Sequence, residues 1–104
     1  MNQEREGAEP RYVISVAARM LDTQTHTLRY YEKIGIIEPC RSPGNIRLYS
    51  ERDIALLRRV KTLIEDMGVN LAGVEVVLRM MEHMNELQSE LEQAREALAD
   101  IKRR

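Results

Sequence analysis

Five side chains that can donate hydrogen bonds to a polyanion recur at helical spacing in the first third of the chain. They are Thr25, His26, Arg29, Tyr30 and Lys33. Spacings of three and four residues place them on one side of a helix, with Leu28, Tyr31 and Ile34 on the other. Such a face supplies the donors that phosphates and base edges of a major groove accept. A solvated helix face without a partner has the same composition, so this pattern alone leaves both interpretations open.

A second cationic feature follows as a predicted hairpin. Ser42-Pro43-Gly44-Asn45 has Pro and Gly where a type II turn requires them. After the turn Ile46 and Leu48 alternate with Arg47 and Tyr49, which predicts a strand whose apolar face carries Ile46 and Leu48. Ile36-Ile37 is its expected partner. Arg41 and Arg47 flank the turn and can lie along a DNA backbone or minor groove while the helix occupies the adjacent major groove. Arg52, Arg58, Arg59 and Lys61 add cations on the next segment.

Short helices must hold these two features. Ser15 is expected to cap a helix from Val16 to about Leu21, and Asp22 tolerates the left-handed conformation of a tight turn. A second helix then runs from about Gln24 to Ile34 and ends at Gly35. Two such helices predict a helix-turn-helix, and the hairpin after them is the element called a wing. Ser50 and Asp53 have the form of a capping box for a third helix that ends at Gly68, and Asn70 can cap a fourth from Leu71 to about Met81.

The last part of the chain carries a heptad pattern. From Met80 to Ile101 a series of seven apolar residues is separated alternately by four and three positions, which is the seam of a coiled coil. The predicted dimerisation residues are Met84, Leu87, Leu91, Ala94, Leu98 and Ile101. The alternative is that this helix packs back on its own domain, but the preceding helices already have apolar faces, which favours self-association.

Charge is divided unevenly along the chain, although the formal net charge is only −1. Residues 11–61 hold ten Lys and Arg against five Asp and Glu, whereas residues 62–104 hold five against nine. A basic head and an acidic tail are typical of a polyanion-binding domain on a self-associating stem. The apolar residues are mainly Leu, Ile, Val, Ala and Met, with no Phe or Trp, which favours a mostly α fold.

Several classes of function have no support in the residues. Cys40 has no partner cysteine for a disulfide, and a redox-responsive thiol is a weaker interpretation than a small packing residue of the wing. His83 stands alone, so no metal or other cofactor is expected. No nucleophile and base pair, phosphate loop or long apolar run is present, which predicts a protein that is not an enzyme and resides in the cytoplasm.

Several blocks in order resemble the MerR family of bacterial transcription regulators. They are Thr27-Leu28-Arg29-Tyr30-Tyr31-Glu32, Gly35-Ile36-Ile37, Pro39-Cys40-Arg41, Arg47-Leu48-Tyr49-Ser50, Asp53-Ile54 and Leu57. The resemblance covers roughly Tyr12 to Met80. Within the family, Gly68-Val69-Asn70-Leu71-Ala72-Gly73-Val74 and Val13-Ile14-Ser15-Val16-Ala17-Ala18 are similar to the heat-shock repressor branch, HspR.

The resemblance implies a homodimer joined by an antiparallel coiled coil, with two winged helix-turn-helix heads on an inverted-repeat operator. It also implies that the protein is associated with the nucleoid of a bacterial cytoplasm. By position, Arg29 and Tyr30 would contact DNA, with Thr25 and His26 at the start of the same helix. Arg41 and Arg47 would contact it from the wing, and Tyr49 would support the wing or reach a phosphate. The expected domains are a flexible arm over 1–10, the DNA-binding domain over 11–81 and the coiled-coil dimerisation helix over 82–104.

The chain also departs from the family pattern. Asn45-Ile46-Arg47 replaces the usual Gly-Tyr-Arg of the wing, and Asp22 replaces the turn glycine. The branch resemblance implies repression of stress genes with a chaperone as co-repressor. Two alternatives stay open at this point: an effector-responsive activator whose sensor domain lies beyond residue 104, and a coiled-coil adaptor that binds no DNA.

Overall fold

The computed structural model describes residues 7–104 as two compact units divided between Gly68 and Val69. Residues 1–6 of the predicted arm lie outside the described residues. The fold is mostly α with a small antiparallel sheet, as predicted. In chain order the elements are β1 Tyr12–Val13, α1 Ile14–Met20, α2 Thr25–Lys33, β2 Cys40–Arg41, β3 Arg47–Tyr49, α3 Glu51–Lys61, a π-helical turn Thr62–Asp66 and α4 Leu71–Arg103.

Helices α1 and α2 form the predicted helix-turn-helix. Ala17 and Ala18 of α1 are buried with Leu28 of α2, and the small alanines allow the helices to approach closely. Asp22 takes φ 53°, which confirms its left-handed role. The amides of Asp22 and Thr23 donate to carbonyls of α1, an arrangement that ends the helix as a Schellman motif does. The predicted Ser15 cap is wrong, because α1 begins earlier, after Val13, and no side chain caps it.

The sheet pairs different residues from those expected. Its strand order is β1-β3-β2, with Tyr12 opposite Tyr49 and Cys40 opposite Leu48. The predicted partner of the wing strand, Ile36-Ile37, lies outside the sheet and is buried in the first unit. These two residues come after Ile34 and Gly35 at the end of α2, and both are buried, which stabilises the unit more than exposed positions in the hairpin would.

The buried face of β3 is also the opposite of the predicted one. Tyr49 is fully buried within the core, whereas Ile46 is 55% exposed. Arg47, two residues before Tyr49, shares the inward face because side chains alternate along a strand. The alternation of side chains along the strand was predicted, but the wrong face was expected to be buried. Tyr49 and Arg47 face inward because the Tyr49 ring fills the core and Arg47 pairs with the carboxylate of Glu32 on α2.

Helix α3 completes the core of the first unit. Its capping box is confirmed: Ser50 accepts from the Asp53 amide at 3.1 Å, and the Ser50 amide donates to Asp53 Oδ2 at 2.9 Å. Ile54 and Leu57 are buried in one core cluster with residues of α1 and α2. The chain then widens into the π-helical turn, which the sequence pattern did not predict, and Gly68 ends it at φ 70°.

Helix α4 forms the second unit. The predicted Asn70 cap is confirmed, since Asn70 Oδ1 accepts from the Gly73 amide at 2.8 Å. The helix is 33 residues long, or about 50 Å, so the helix end predicted at about Met81 is wrong: the helix continues without a break to Arg103. The boundaries predicted for the three domains stay predictions.

Candidate nucleic-acid interface

The outer face of α2 presents the cationic and polar residues that the sequence predicted. His26, Arg29 and Lys33 are exposed, Tyr30 is 46% exposed and Thr25 is half-buried. At 100° per residue the five fall within about 140° of the helix circumference. The inner face is anchored, because Leu28 is 1% exposed and Tyr31 packs against the core.

The cations of this face are available to a ligand. Among residues 7–104, Arg29 and Lys33 take part in no ion pair or hydrogen bond through their side chains. Helix α2 ends with Gly35 at φ 85°, and the Ile36 amide donates back to the Tyr31 carbonyl at 2.9 Å. The C′ role predicted for Gly35 is thereby confirmed. A rigid helix thus holds a cationic surface with unused donors.

The wing is a tight hairpin between β2 and β3. The Asn45 amide donates to the Ser42 carbonyl at 2.8 Å, and the Ser42 amide donates to the Ile46 carbonyl at 2.9 Å. The left-handed residue is Asn45, at φ 63°, and Gly44 has no positive φ. The predicted type II turn is therefore wrong, because that type needs the positive φ at Gly44. Asn takes this conformation at lower cost than most residues, which is why it can stand at this position.

Both wing arginines contact a single carboxylate of α2. Arg47 Nε donates to Glu32 Oε2 at 2.5 Å, and Arg41 donates from a terminal nitrogen to Glu32 Oε1 at 2.9 Å. The other terminal nitrogen of Arg41 lies 3.3 Å from the Asn45 carbonyl. We call Glu32, Arg41 and Arg47 the wing ion-pair cluster. It joins the end of α2 to both strands of the wing.

The cluster changes the electrostatics of the residues around it. The hydrogen bond from Arg47 holds the pKa of Glu32 below its usual value, with the charges of both arginines acting in the same direction and partial burial opposing them. Tyr49 lies beside the cluster, and burial raises its pKa, assisted by the charge of Glu32. Its hydroxyl is buried without a hydrogen-bond partner among the described residues.

The structure brings most of the predicted site residues together, with one correction. Thr25, His26, Arg29, Tyr30 and Lys33 lie on α2, and Arg41 and Arg47 lie on the wing beside its end. Tyr49 is 0% exposed, so of its two predicted roles the structure leaves support of the wing and not a phosphate contact. Glu32 was not singled out as a functional residue. An acidic residue within the basic Arg29–Lys33 segment was the signal that could have indicated it.

The cations that follow the wing have different environments. Arg58 and Arg59 are exposed on α3. Lys61 instead donates to the carbonyls of Leu21 and Asp22, at 2.7 and 3.0 Å, and so satisfies the end of α1. Lys61 therefore stabilises the turn of the helix-turn-helix.

Within residues 7–104 no three His, Cys, Asp or Glu side chains gather in a way that could hold a metal ion. Across that same range, no helix has the length and apolar character that crossing a membrane requires. Cys40 is a free, exposed thiol on β2.

The heptad positions of α4 are open to solvent in the single chain. Met84 is 65% exposed, Ile101 is 64% exposed, and Leu87, Leu91 and Leu98 are each about half exposed. A row of exposed apolar side chains of this kind is typical of a surface that packs against another protein surface.

A family model and two relatives match the chain over most of its length. The model of MerR HTH family regulatory proteins matches residues 12–81. The heat shock protein HspR of Streptomyces coelicolor is 45% identical over 80 residues, 77% of this chain and 53% of that protein. The HTH-type transcriptional regulator GlnR of Bacillus anthracis is 33% identical over 96 residues, 92% of this chain and 73% of that protein. The chain thus spans about half the length of the HspR relative.

Two solved structures are similar in fold. HiNmlR, a MerR family regulator that lacks the sensor domain and was crystallised bound to promoter DNA, has a TM-score of 0.63 at 20% identity, over 88% of this chain and 76% of that one. A MerR family transcriptional regulator from Bacillus cereus has a TM-score of 0.57 at 29% identity, over 85% of this chain and 75% of that one.

Proposed function

This chain belongs to the MerR family of helix-turn-helix regulatory proteins, and from that premise we propose that it binds duplex DNA as a homodimer and regulates transcription. The observation that carries the proposal is the cationic outer face of α2, with Arg29 and Lys33 unpaired among the described residues, next to a wing that presents Arg41 and Arg47. Helix α2 is short and anchored by Leu28, which suits it to insertion into a major groove.

The residues divide into two kinds of contact under this proposal. Arg29, with Thr25, His26 and Tyr30 on the same side of α2, reads base edges, and Lys33 at the end of the helix neutralises a phosphate. Arg41 and Arg47 face the backbone beside the groove that α2 occupies.

The homodimer is proposed on the exposed seam of α4, which a second copy would cover. Charge supports the antiparallel arrangement of the two helices. Residues 82–92 hold four Glu and no Lys or Arg, whereas residues 93–104 hold four Lys and Arg against two acids. Antiparallel packing places the acidic segment of one copy beside the basic segment of the other, whereas parallel packing places like charges together.

We extend the proposal to repression of stress genes, supported by the 45% identity with the heat shock protein HspR. The inverted-repeat operator follows from two heads related by a two-fold axis. The chaperone co-repressor implied by the branch resemblance stays a prediction.

The test is selection of bound fragments from a random duplex pool, followed by mobility shifts at increasing salt. We expect an enriched inverted repeat and an affinity that falls steeply as salt rises, because bound phosphates release counterions. A coiled-coil adaptor would instead enrich no sequence and show no salt-dependent binding at low ionic strength.

A further inference from the structure

The two wing arginines do not extend freely into solvent. Glu32 uses one carboxylate oxygen for each of them, and the side chains of Glu32 and Arg47 are only 23% and 27% exposed. Two guanidinium groups are therefore held by one acid whose own position is fixed by α2. The wing is short, with a two-residue and a three-residue strand, so it has little other means of fixing its arginines.

The hydrogen bonds inside the cluster leave donors unused. Arg47 gives Nε to Glu32, and its two terminal nitrogens make no hydrogen bond within the described residues. A guanidinium has five N–H donors in a rigid plane, so a carboxylate on one edge determines where the other edge points. Arg41 is fixed twice, by Glu32 and by the Asn45 carbonyl.

The sign of the charge makes Glu32 unusual on this surface. A carboxylate close to bound phosphates repels them, so on charge alone its removal strengthens binding to DNA. If the carboxylate instead fixes two arginines, its removal lets two long side chains rotate, and ordering them again on DNA costs conformational entropy. Removal of the carboxylate therefore strengthens DNA binding if repulsion dominates and weakens it if fixation of the arginines dominates. The direction of the change in DNA affinity distinguishes the two effects.

We propose that Glu32 is a positioning residue for DNA binding: it fixes Arg41 and Arg47 of the wing so that their remaining N–H groups face a phosphate beside the groove that α2 occupies. The inference rests on the proposed function and adds a role for an acidic residue within it. Glu32 itself contacts no DNA.

The experiment compares Glu32→Gln with Glu38→Gln in the full chain. Glu38 lies two residues before β2, is exposed, and takes part in no ion pair within the described residues, so its variant removes the same charge without disturbing the cluster. The probe is a mixed-sequence duplex of about 40 base pairs, long enough for two half-sites. A mixed sequence suffices because phosphate contacts carry no sequence information.

We expect Glu32→Gln to weaken binding about tenfold, because two charge-assisted contacts lose their fixed geometry. The salt dependence should also become shallower, by about 0.9 in the logarithmic slope for each head. Glu38→Gln should instead tighten binding slightly, by about twofold or less at low salt. Glu32→Asp, which keeps the charge on a shorter stem, should fall between Glu32→Gln and the original chain.

A tighter complex for Glu32→Gln, matching Glu38→Gln, would overturn the proposal, because Glu32 would then act only as a repelling charge. A chain that binds no duplex before any substitution would instead contradict the proposed function. Glu32→Asp provides the second measurement if Glu32→Gln does not fold. It leaves the net charge unchanged and alters only the reach of the carboxylate to the two arginines, so an unchanged affinity refutes positioning and a loss of affinity supports it.

Discussion

Arg29 and Lys33 lie on the same exposed face of α2, one turn apart, but the proposed interface gives them different tasks. Arg29 is near the middle of the helix, where side chains reach base edges, and its planar guanidinium can bond a guanine with two hydrogen bonds. Lys33 is the last residue of the helix, near the backbone of the groove. A point charge at that position recognises phosphate without regard to sequence.

We therefore predict that Arg29→Ala weakens binding to the selected duplex by about 1–3 kcal/mol while binding to mixed-sequence duplex changes far less. Lys33→Ala serves as the matched variant and should weaken both complexes similarly, with a shallower salt dependence. Titrations of both duplexes at two salt concentrations measure this. Unchanged discrimination by Arg29→Ala would show that a different side of α2 faces the bases.

The ring and the hydroxyl of Tyr49 have opposite effects on the stability of the fold. The ring fills the core, but the hydroxyl is buried without a partner among the described residues. An unpaired buried hydroxyl costs about 1–3 kcal/mol of desolvation. Tyr49→Phe should thus raise the free energy of unfolding by about 1 kcal/mol in denaturant titrations.

The exposed Tyr30 is the control for this prediction. Tyr30 is exposed to water in the folded protein as in the unfolded chain, so Tyr30→Phe should change the free energy of unfolding by less than about 0.5 kcal/mol. A Tyr49→Phe protein that is less stable than the original would mean that the hydroxyl is bonded in solution, and the ring alone would not explain the residue.

At the scale of elements, the turn between α1 and α2 depends on an uncommon backbone conformation. Asp22 stands at φ 53°, and Lys61 bonds its carbonyl, not its side chain. Asp22→Gly should stabilise the protein by about 1 kcal/mol, because glycine adopts this conformation without a Cβ clash and the Lys61 contact is kept.

The same substitution has the opposite sign where the backbone is helical. Asp66 is the last residue of the π-helical turn and its φ is negative. Because glycine only adds conformational freedom to the unfolded chain at such a position, Asp66→Gly should destabilise the protein by about 0.5–1 kcal/mol. Chemical denaturation of both variants provides the measurement. A loss of stability with Asp22→Gly would show that the aspartate side chain contributes a local interaction that outweighs the strain.

Elements whose cause is local were predictable from the sequence. Ser50 and Asn70 each accept from an amide three residues later. Asp22 and Gly35 take the left-handed conformation, which aspartate tolerates and glycine adopts freely because it has no Cβ. Each of these depends on a few consecutive residues. The helix-turn-helix followed from such signals together with apolar spacing, whereas the last helix was predicted in two parts that the structure joins into one.

The wing was predicted less well because its structure depends on distant contacts. Strand β1 pairs with β3 across more than thirty residues and is only two residues long, too short for any pattern. The inward side of β3 is decided by Tyr49 packing on α1 and by Glu32 reaching Arg47, fifteen residues away. The cationic residues of the proposed interface were predicted from their types, whereas the acid that contacts two of them could be identified only from the fold.

At the scale of the whole molecule, the heptad seam determines in the proposed homodimer whether the two heads act together. Leu91 is the fourth of the seven apolar seam positions from Met80 to Ile101. In an antiparallel pair with full overlap the two-fold axis passes near this residue, so both copies of Leu91 lie close together. A charged side chain at this position would place two like charges, one from each copy, close together and out of contact with water.

Leu91→Asp should therefore convert the dimer to a monomer at micromolar concentration in sedimentation equilibrium. Ser89→Asp adds the same charge two residues away, at the heptad position farthest from the seam, and should remain dimeric. The monomeric variant keeps its α2 face and wing but loses the second attachment to DNA. Linking two heads raises affinity by about a hundredfold or more. The Leu91→Asp variant should therefore bind the selected inverted repeat no more tightly than it binds a duplex with a single half-site. A Leu91→Asp protein that stays dimeric would place the interface elsewhere on the chain.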